Sequence, residues 1–96
     1  MITLTDIQRV RGEIHRLANK HGIVKLRVFG SVARGEQNAL SDVDLLVRIA
    51  PSSDLIDLIS FKKEAEALLG CQVDVVSENG ISPHLRNKIF AEALSV

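Results

Sequence analysis

Apolar residues recur at helical spacing in three segments of the chain. Residues 5–21 and 54–69 show this period clearly, and a last helix is predicted to begin with Ser82 as its cap and Pro83 in its first turn. The predicted apolar face of the second segment consists of Leu55, Leu58, Ile59, Lys62, Ala65, Leu68 and Leu69, and that of the last helix of Leu85, Ile89, Phe90 and Leu94. Polar positions between these faces predict solvent-exposed sides, so each helix should cover one side of a sheet.

Three shorter segments have the composition of strands, at residues 25–29, 43–49 and 72–76. A turn and a short helix that ends near Gly35 should follow the first of them. The predicted order is therefore α-β-α-β-α-β-α. This alternation indicates an α/β (α+β) fold, with a small mixed three-stranded sheet covered by helices.

The length and the charge of the chain limit the classes of function that it could have. The 96 residues predict one domain spanning residues 1–96, without room for a second, substrate-binding domain. Lys plus Arg number 12 and Asp plus Glu number 12, so the net charge is zero, which disfavours direct nucleic-acid binding as the main task. The single cysteine, Cys71, excludes an intramolecular disulfide. No secretory signal or membrane-length apolar run is evident, so we expect a soluble cytoplasmic protein.

The turn after the first predicted strand has the composition of a phosphate-binding site. Gly30 leaves backbone N–H groups open to a bulky anion, and the helix that follows offers free N–H donors. Ser31 adds a hydroxyl group, and Arg34 is a weaker candidate for reaching a phosphate. The same residues also fit a plain strand-to-helix turn with a serine cap, and for Gly-Ser taken alone that plain turn is the favoured interpretation.

Three aspartates are candidate metal ligands. Asp42 and Asp44 lie two residues apart at the start of the second strand, so their side chains point to one face. Carboxylates this close repel each other unless they are neutralised, and Mg²⁺ prefers carboxylate, phosphate and water oxygens. Asp74 lies among apolar residues of the third strand, which we expect to be central, and a buried carboxylate needs a partner. The alternatives are solvated strand-end carboxylates for Asp42 and Asp44, and an edge strand with Asp74 facing water. Convergence of all three aspartates on one cation site is favoured over these alternatives.

For Gly30 and Asp42 to line one pocket, the first two strands should run antiparallel. Gly30-Ser31, followed after ten residues by Asp42-Val43-Asp44, resembles the signature of the DNA polymerase beta-like nucleotidyltransferase superfamily. The strings Gly-Ser-Val-Ala-Arg-Gly and Ser-Asp-Val-Asp-Leu are similar to the minimal nucleotidyltransferase (MNT) domain proteins, which are often antitoxins of HEPN-domain toxins in pairs of the MntA–HepT type. The resemblance covers nearly the whole chain, through the strand with Asp74 to the closing helix.

This resemblance implies a polymerase beta-like fold and a set of roles. Asp42 and Asp44 would bind Mg²⁺, as two ions, and Asp74 would complete the metal site and help to deprotonate the acceptor hydroxyl. Gly30 and Ser31 would hold the β- and γ-phosphates of ATP. The AMP group would pass to a tyrosine of the partner toxin. Two alternatives stay open: a module that neutralises a toxin by binding alone, and nucleotidyl transfer to a small molecule.

Overall fold

The computed structural model describes residues 2–36, 38 and 42–96 of the chain. These residues form the helices α1 (Leu4–Arg9), α2 (Arg11–Lys20), α3 (Gly30–Arg34), α4 (Leu55–Leu69) and α5 (Pro83–Glu92), and the strands β1 (Ile23–Phe29), β2 (Val43–Ile49), β3 (Val73–Ser77) and β4 (Leu94–Ser95). A 3₁₀ turn, Glu78–Gly80, precedes α5. The loop predicted over residues 37–41 lies outside the described residues, except for Asn38.

The four strands form one mixed sheet in the order β3-β2-β1-β4. β1 and β2 are antiparallel, with Phe29 opposite Asp44, whereas β2 and β3 are parallel, with Asp44 opposite Asp74. The predicted α+β class, the mixed sheet and the antiparallel first pair are confirmed. The predicted central position of the third strand is wrong, because β2 lies between β1 and β3 and leaves β3 at an edge.

The strand count of three is also wrong for the part of the chain that the structure describes. The last helix ends at Glu92, because Ala93 adopts extended backbone angles (φ −67°, ψ 133°). Leu94 then pairs with Val28 of β1 in a fourth strand of two residues, instead of continuing the apolar face of the helix. Leu85, on the same predicted face, is 52% exposed.

The hydrophobic core lies on one face of the sheet, under α1, α2 and α4. It contains alternate residues of the central strands together with helix residues: Leu26, Val28, Val43, Leu45, Val47, Ile7, Ile14, Ala18, Phe61 and Ala65. Because side chains alternate along a strand, the residues between them point to the opposite face. Asp44 is one of these, so the core packing of β2 fixes the side of the sheet on which its carboxylate lies.

Two helix predictions need correction. The helix predicted over residues 5–21 is divided into α1 and α2 at Val10, whose backbone (φ −104°, ψ 21°) is not helical. A β-branched residue followed closely by Gly12 weakens the helix at this point. In α4 the predicted face is right in part, since Ala65 is buried and Leu58, Leu68 and Leu69 pack against the core. Phe61, which lies outside the predicted face, is also buried, whereas Leu55 and Ile59 of that face are 69% and 47% exposed.

Helix α5 lies on the face of the sheet opposite the core and is held there by cationic side chains. The guanidinium groups of Arg27 and Arg86 both lie over the Phe90 ring, at 4.8 and 4.7 Å from its centroid. Arg86 also donates a hydrogen bond to the backbone carbonyl of Glu78, whose buried carboxylate accepts from Arg27. These contacts fix the position of α5 relative to β1. None of the described helices is long and apolar enough to cross a membrane.

Candidate active site

The turn between β1 and α3 lies directly against the carboxylate of Asp44. Gly30 adopts a φ of +76°, a left-handed conformation that residues with a Cβ rarely adopt. A Cβ added at Gly30 would lie 2.1 Å from Oδ2 of Asp44. Glycine is therefore required here for two separate reasons, and its absent side chain is what allows the backbone turn and the carboxylate to share one site.

Asp44 and Asp74 form a carboxylate pair across the β2–β3 ladder. They are direct partners in the parallel register. Burial, followed by the negative charges of Asp74 and Asp42, raises the pKa of Asp44 from 3.8 to about 6. A hydrogen bond with the Asp74 side chain and the charge of Glu92 act in the same direction. The site therefore concentrates negative charge on a partly buried carboxylate, which a bound cation would relieve.

The three predicted metal ligands are not equally placed. Asp74 is exposed, since β3 is an edge strand, so the predicted buried carboxylate on a central strand is wrong. Asp42 precedes β2 and is partly buried, close enough for its charge to act on Asp44. Among the residues that the structure describes, no group of three or more His, Cys, Asp or Glu side chains could hold a metal ion by itself.

This donor set still fits Mg²⁺. That ion is usually bound by one or two carboxylates together with substrate phosphates and water, instead of by a complete protein cage. The close pair of Asp44 and Asp74 supplies the carboxylates. The Gly30 turn lies directly against one of these two carboxylates, that of Asp44.

A cavity of about 470 Å³ extends from this carboxylate pair. Its walls include Asp44, Asp74 and the exposed side chain of Lys62 from α4, and its apolar part is formed by residues such as Leu85 and Ile89 of α5. The position of Lys62 was not predicted, because helical periodicity assigned it to the apolar face of its helix. Its place on the wall of the same cavity as Asp74 depends on the packing of α4 against β3, which the local sequence does not indicate.

Ser31 and Arg34 lie in α3, next to Gly30. α3 has only five residues, so its dipole is small and individual N–H groups matter more than the helix as a whole. Arg34 donates hydrogen bonds to Glu36 at 3.0 Å and to Glu92 at 2.8 Å. These two hydrogen bonds raise the pKa of Arg34, that to Glu92 more than that to Glu36.

Glu92, the last residue of α5, was not predicted to belong to the site. One of its carboxylate oxygens accepts the backbone N–H of Gly30 at 3.2 Å, and the other accepts from Arg34. Burial alone would raise the pKa of Glu92, but the hydrogen bonds from Arg34 and Gly30, together with the charges of Arg34 and Lys88, lower it overall. Periodicity could not reveal this contact, because it joins residues 62 positions apart.

Comparison with known proteins gives concordant matches. Residues 7–96 match the family described as the nucleotidyltransferase domain. A candidate protein adenylyltransferase of Methanocaldococcus jannaschii is 40% identical over 91 residues, which cover 95% of this chain and 98% of that protein. The protein adenylyltransferase MntA of Thermococcus cleftensis is 32% identical over 97 residues, covering 100% of this chain and 98% of that protein.

Solved structures share the same fold. A minimal nucleotidyltransferase matches with a TM-score of 0.88 and 42% sequence identity, covering 99% of this chain and 97% of the other. A toxin–antitoxin crystal structure with AMP-PNP matches with a TM-score of 0.74 and 23% identity, covering 88% of this chain and 69% of the other. At that lower identity, the likeness concerns the fold alone.

Proposed function

This chain belongs to the nucleotidyltransferase domain family, and on that basis we propose that it is the antitoxin of a HEPN toxin–antitoxin pair that transfers AMP from ATP to a tyrosine hydroxyl of its partner. Full-length similarity to a protein adenylyltransferase of the MntA type supports the reaction. The full-length relative named MntA, together with the resemblance of the Gly30 to Asp44 motif to MntA–HepT antitoxins, supports the class of partner. The carboxylate pair beside the Gly30 turn is the observation that carries the proposal.

In this proposal the nucleotide lies between the glycine turn and the carboxylates. The Gly30 N–H and the Ser31 hydroxyl bind oxygens of the β- and γ-phosphates, and Arg34 adds a positive charge at the same place. Asp42, Asp44 and Asp74 would hold Mg²⁺, and the ions would supply charge neutralisation for the triphosphate and the leaving pyrophosphate. The raised pKa of Asp44 supports this, because it reflects burial and the repulsion among carboxylates that a bound cation would offset.

The protein side chains orient the acceptor and accept its proton. The hydroxyl oxygen of the acceptor forms a bond to the α-phosphorus, and the bond from that phosphorus to the pyrophosphate oxygen breaks. Asp74 is exposed at the sheet edge and lies within the cavity, so it is the carboxylate best placed to take the hydroxyl proton. Most of the rate enhancement then comes from positioning and charge neutralisation.

The test uses a HEPN-domain partner, ATP and Mg²⁺, with the intact mass of the partner as the readout. We expect mass gains that match AMP. Asp42→Asn and Asp74→Asn should abolish transfer, whereas Lys63→Ala, on the exposed side of α4, should leave transfer unchanged. Circular dichroism would check that each variant is folded. Near wild-type transfer by either aspartate variant would remove the proposed chemistry.

A second candidate is a module that neutralises its partner by binding alone. The first turns of α4 favour it, because Leu55 and Ile56 are 69% and 71% exposed there. Neighbouring exposed apolar side chains of this kind are frequent at protein interfaces. Inhibition of the partner without any mass gain, in the presence of ATP and Mg²⁺, would favour this candidate over the enzyme.

A further inference from the structure

The anion-binding groups beside Asp44 are already occupied by a carboxylate of the same chain. Glu92 accepts one hydrogen bond from the Gly30 N–H and a charge-assisted one from Arg34, at 3.2 and 2.8 Å. Its side chain is 17% exposed, which leaves it largely shielded from competing water. The two oxygens of the Glu92 carboxylate thus link the backbone of the Gly30 turn to the guanidinium group of Arg34.

These donors are the ones that the proposed function assigns to the triphosphate. A phosphate oxygen and the Glu92 carboxylate cannot both accept the Gly30 N–H in the same geometry. Charge opposes their coexistence as well, since a triphosphate would join a site that already holds Asp44 and Asp74. The negative charge of Glu92 already acts on Asp44 in the free protein.

We propose that Glu92 is an internal competitor of the nucleotide, which holds the anion position between Gly30 and Arg34 in the free protein and is displaced when a triphosphate binds. This inference rests on the proposed function, because it names the groups that the triphosphate takes over. Its consequence is a nucleotide affinity set partly by the chain itself. In the free protein Glu92 excludes weakly binding anions from this position, whereas a polyvalent anion such as a triphosphate displaces it.

The proposed displacement is a rotation of the Glu92 side chain alone. None of the residues of α5 is fully buried, and Glu92 is the last residue of this helix. The elements on either side are anchored, by the contacts of Phe90 with Arg27 and Arg86 and by the pairing of Leu94 with Val28. The Glu92 side chain can therefore leave the Gly30 turn without unpairing β4 or moving the helix.

The opposite role would be a fixed clamp that positions the glycine turn and Arg34 for the nucleotide. The two roles predict opposite signs when the carboxylate is removed. Loss of a competitor strengthens nucleotide binding, whereas loss of a clamp weakens it. Glu36 provides a matched control, since its carboxylate pairs with Arg34 but is not bonded to Gly30.

The experiment measures the binding of AMP-PNP with Mg²⁺ by isothermal titration calorimetry. Glu92→Gln keeps the size of the side chain and removes its charge, and we expect it to bind AMP-PNP about tenfold more tightly than the wild type. Glu36→Gln should change the affinity by no more than about threefold. Equal or weaker binding by Glu92→Gln would overturn the proposal.

A second measurement does not depend on a variant that folds. In the wild-type protein, the NMR signal of the Glu92 side-chain carboxyl carbon should move towards that of solvated glutamates when AMP-PNP and Mg²⁺ saturate the site, together with a shift of the Gly30 amide. An unchanged carboxyl signal in the saturated complex would also overturn the inference. A wild-type protein that binds no AMP-PNP and transfers no AMP would instead contradict the proposed function.

Discussion

The carboxylate of Asp44 should make the metal-free protein less stable at neutral pH than it would be with a neutral side chain. Burial and the charges of Asp74 and Asp42 raise the pKa of Asp44 from 3.8 to about 6. The folded state therefore holds a proton that the unfolded state releases between these values. The stability that this proton contributes is present below pH 4, is lost as the pH rises through 6, and stays lost at pH 7.

The size of the effect follows from the same shift. A difference of one pKa unit corresponds to about 1.4 kcal/mol. A rise from 3.8 to about 6 therefore limits the loss of unfolding free energy on ionisation of Asp44 to about 3 kcal/mol. Asp44 is partly exposed, and solvent and salt screen its neighbours, so we expect about 1 to 1.5 kcal/mol. Asp44→Asn should raise the free energy of unfolding by this amount at pH 7. For a domain of this size, each kcal/mol corresponds to a rise in Tm of roughly 4–8 °C.

The assay is urea unfolding of the wild type and Asp44→Asn at several pH values from 4 to 8, with a chelator present. The difference in unfolding free energy should be small near pH 4 and should grow to its full value by pH 7. Glu13→Gln is the control for the loss of one negative charge, at an exposed position on α2. If Asp44→Asn were no more stable than the wild type at pH 7, the electrostatic description of the site would be wrong.

Two further substitutions test the shape and charge of the site. Gly30→Ala should lower the free energy of unfolding by about 2–4 kcal/mol and abolish transfer. The reason is that the added Cβ would lie 2.1 Å from Oδ2 of Asp44 and that the residue has a positive φ. The control is Gly12→Ala, whose Cβ would have nothing within 4 Å, and it should be neutral or stabilising in thermal unfolding. Lys62→Ala should lower kcat/KM for ATP about fivefold to tenfold, since Lys62 lines the cavity with Asp44, whereas Lys63→Ala should leave it within about twofold. Equal rates for the two lysine variants would exclude a role for the Lys62 charge.

Local patterns in the sequence predicted the parts of the fold that depend on neighbouring residues. β2 matches its predicted bounds, because an apolar run between a polar loop and Pro51 leaves little freedom. Asp54 caps α4 through a reciprocal pair of hydrogen bonds with Asp57, and Gly70 ends the helix in a left-handed conformation. These start and stop signals lie within a few residues of the boundaries that they set.

Features that depend on strand order could not be read in the same way. Nothing near Asp74 indicates that β3 is an edge strand, since an apolar strand of five residues can be central or peripheral. The contact of Glu92 with Gly30 depends on where α5 lies across the sheet. That position is set by Phe90 and its two arginine neighbours, whose interaction is tertiary.

The edge position of β3 bears on the size of the molecule that can be modified. Asp74 is exposed at the rim of the sheet, so a hydroxyl group carried on a protein loop can reach it sideways. Such an approach requires neither a tunnel nor a hinge between domains, and the modified loop can withdraw along the same route. Under the proposed function, this exposed edge lets a chain of 96 residues act on a hydroxyl group of a protein partner without enclosing that partner.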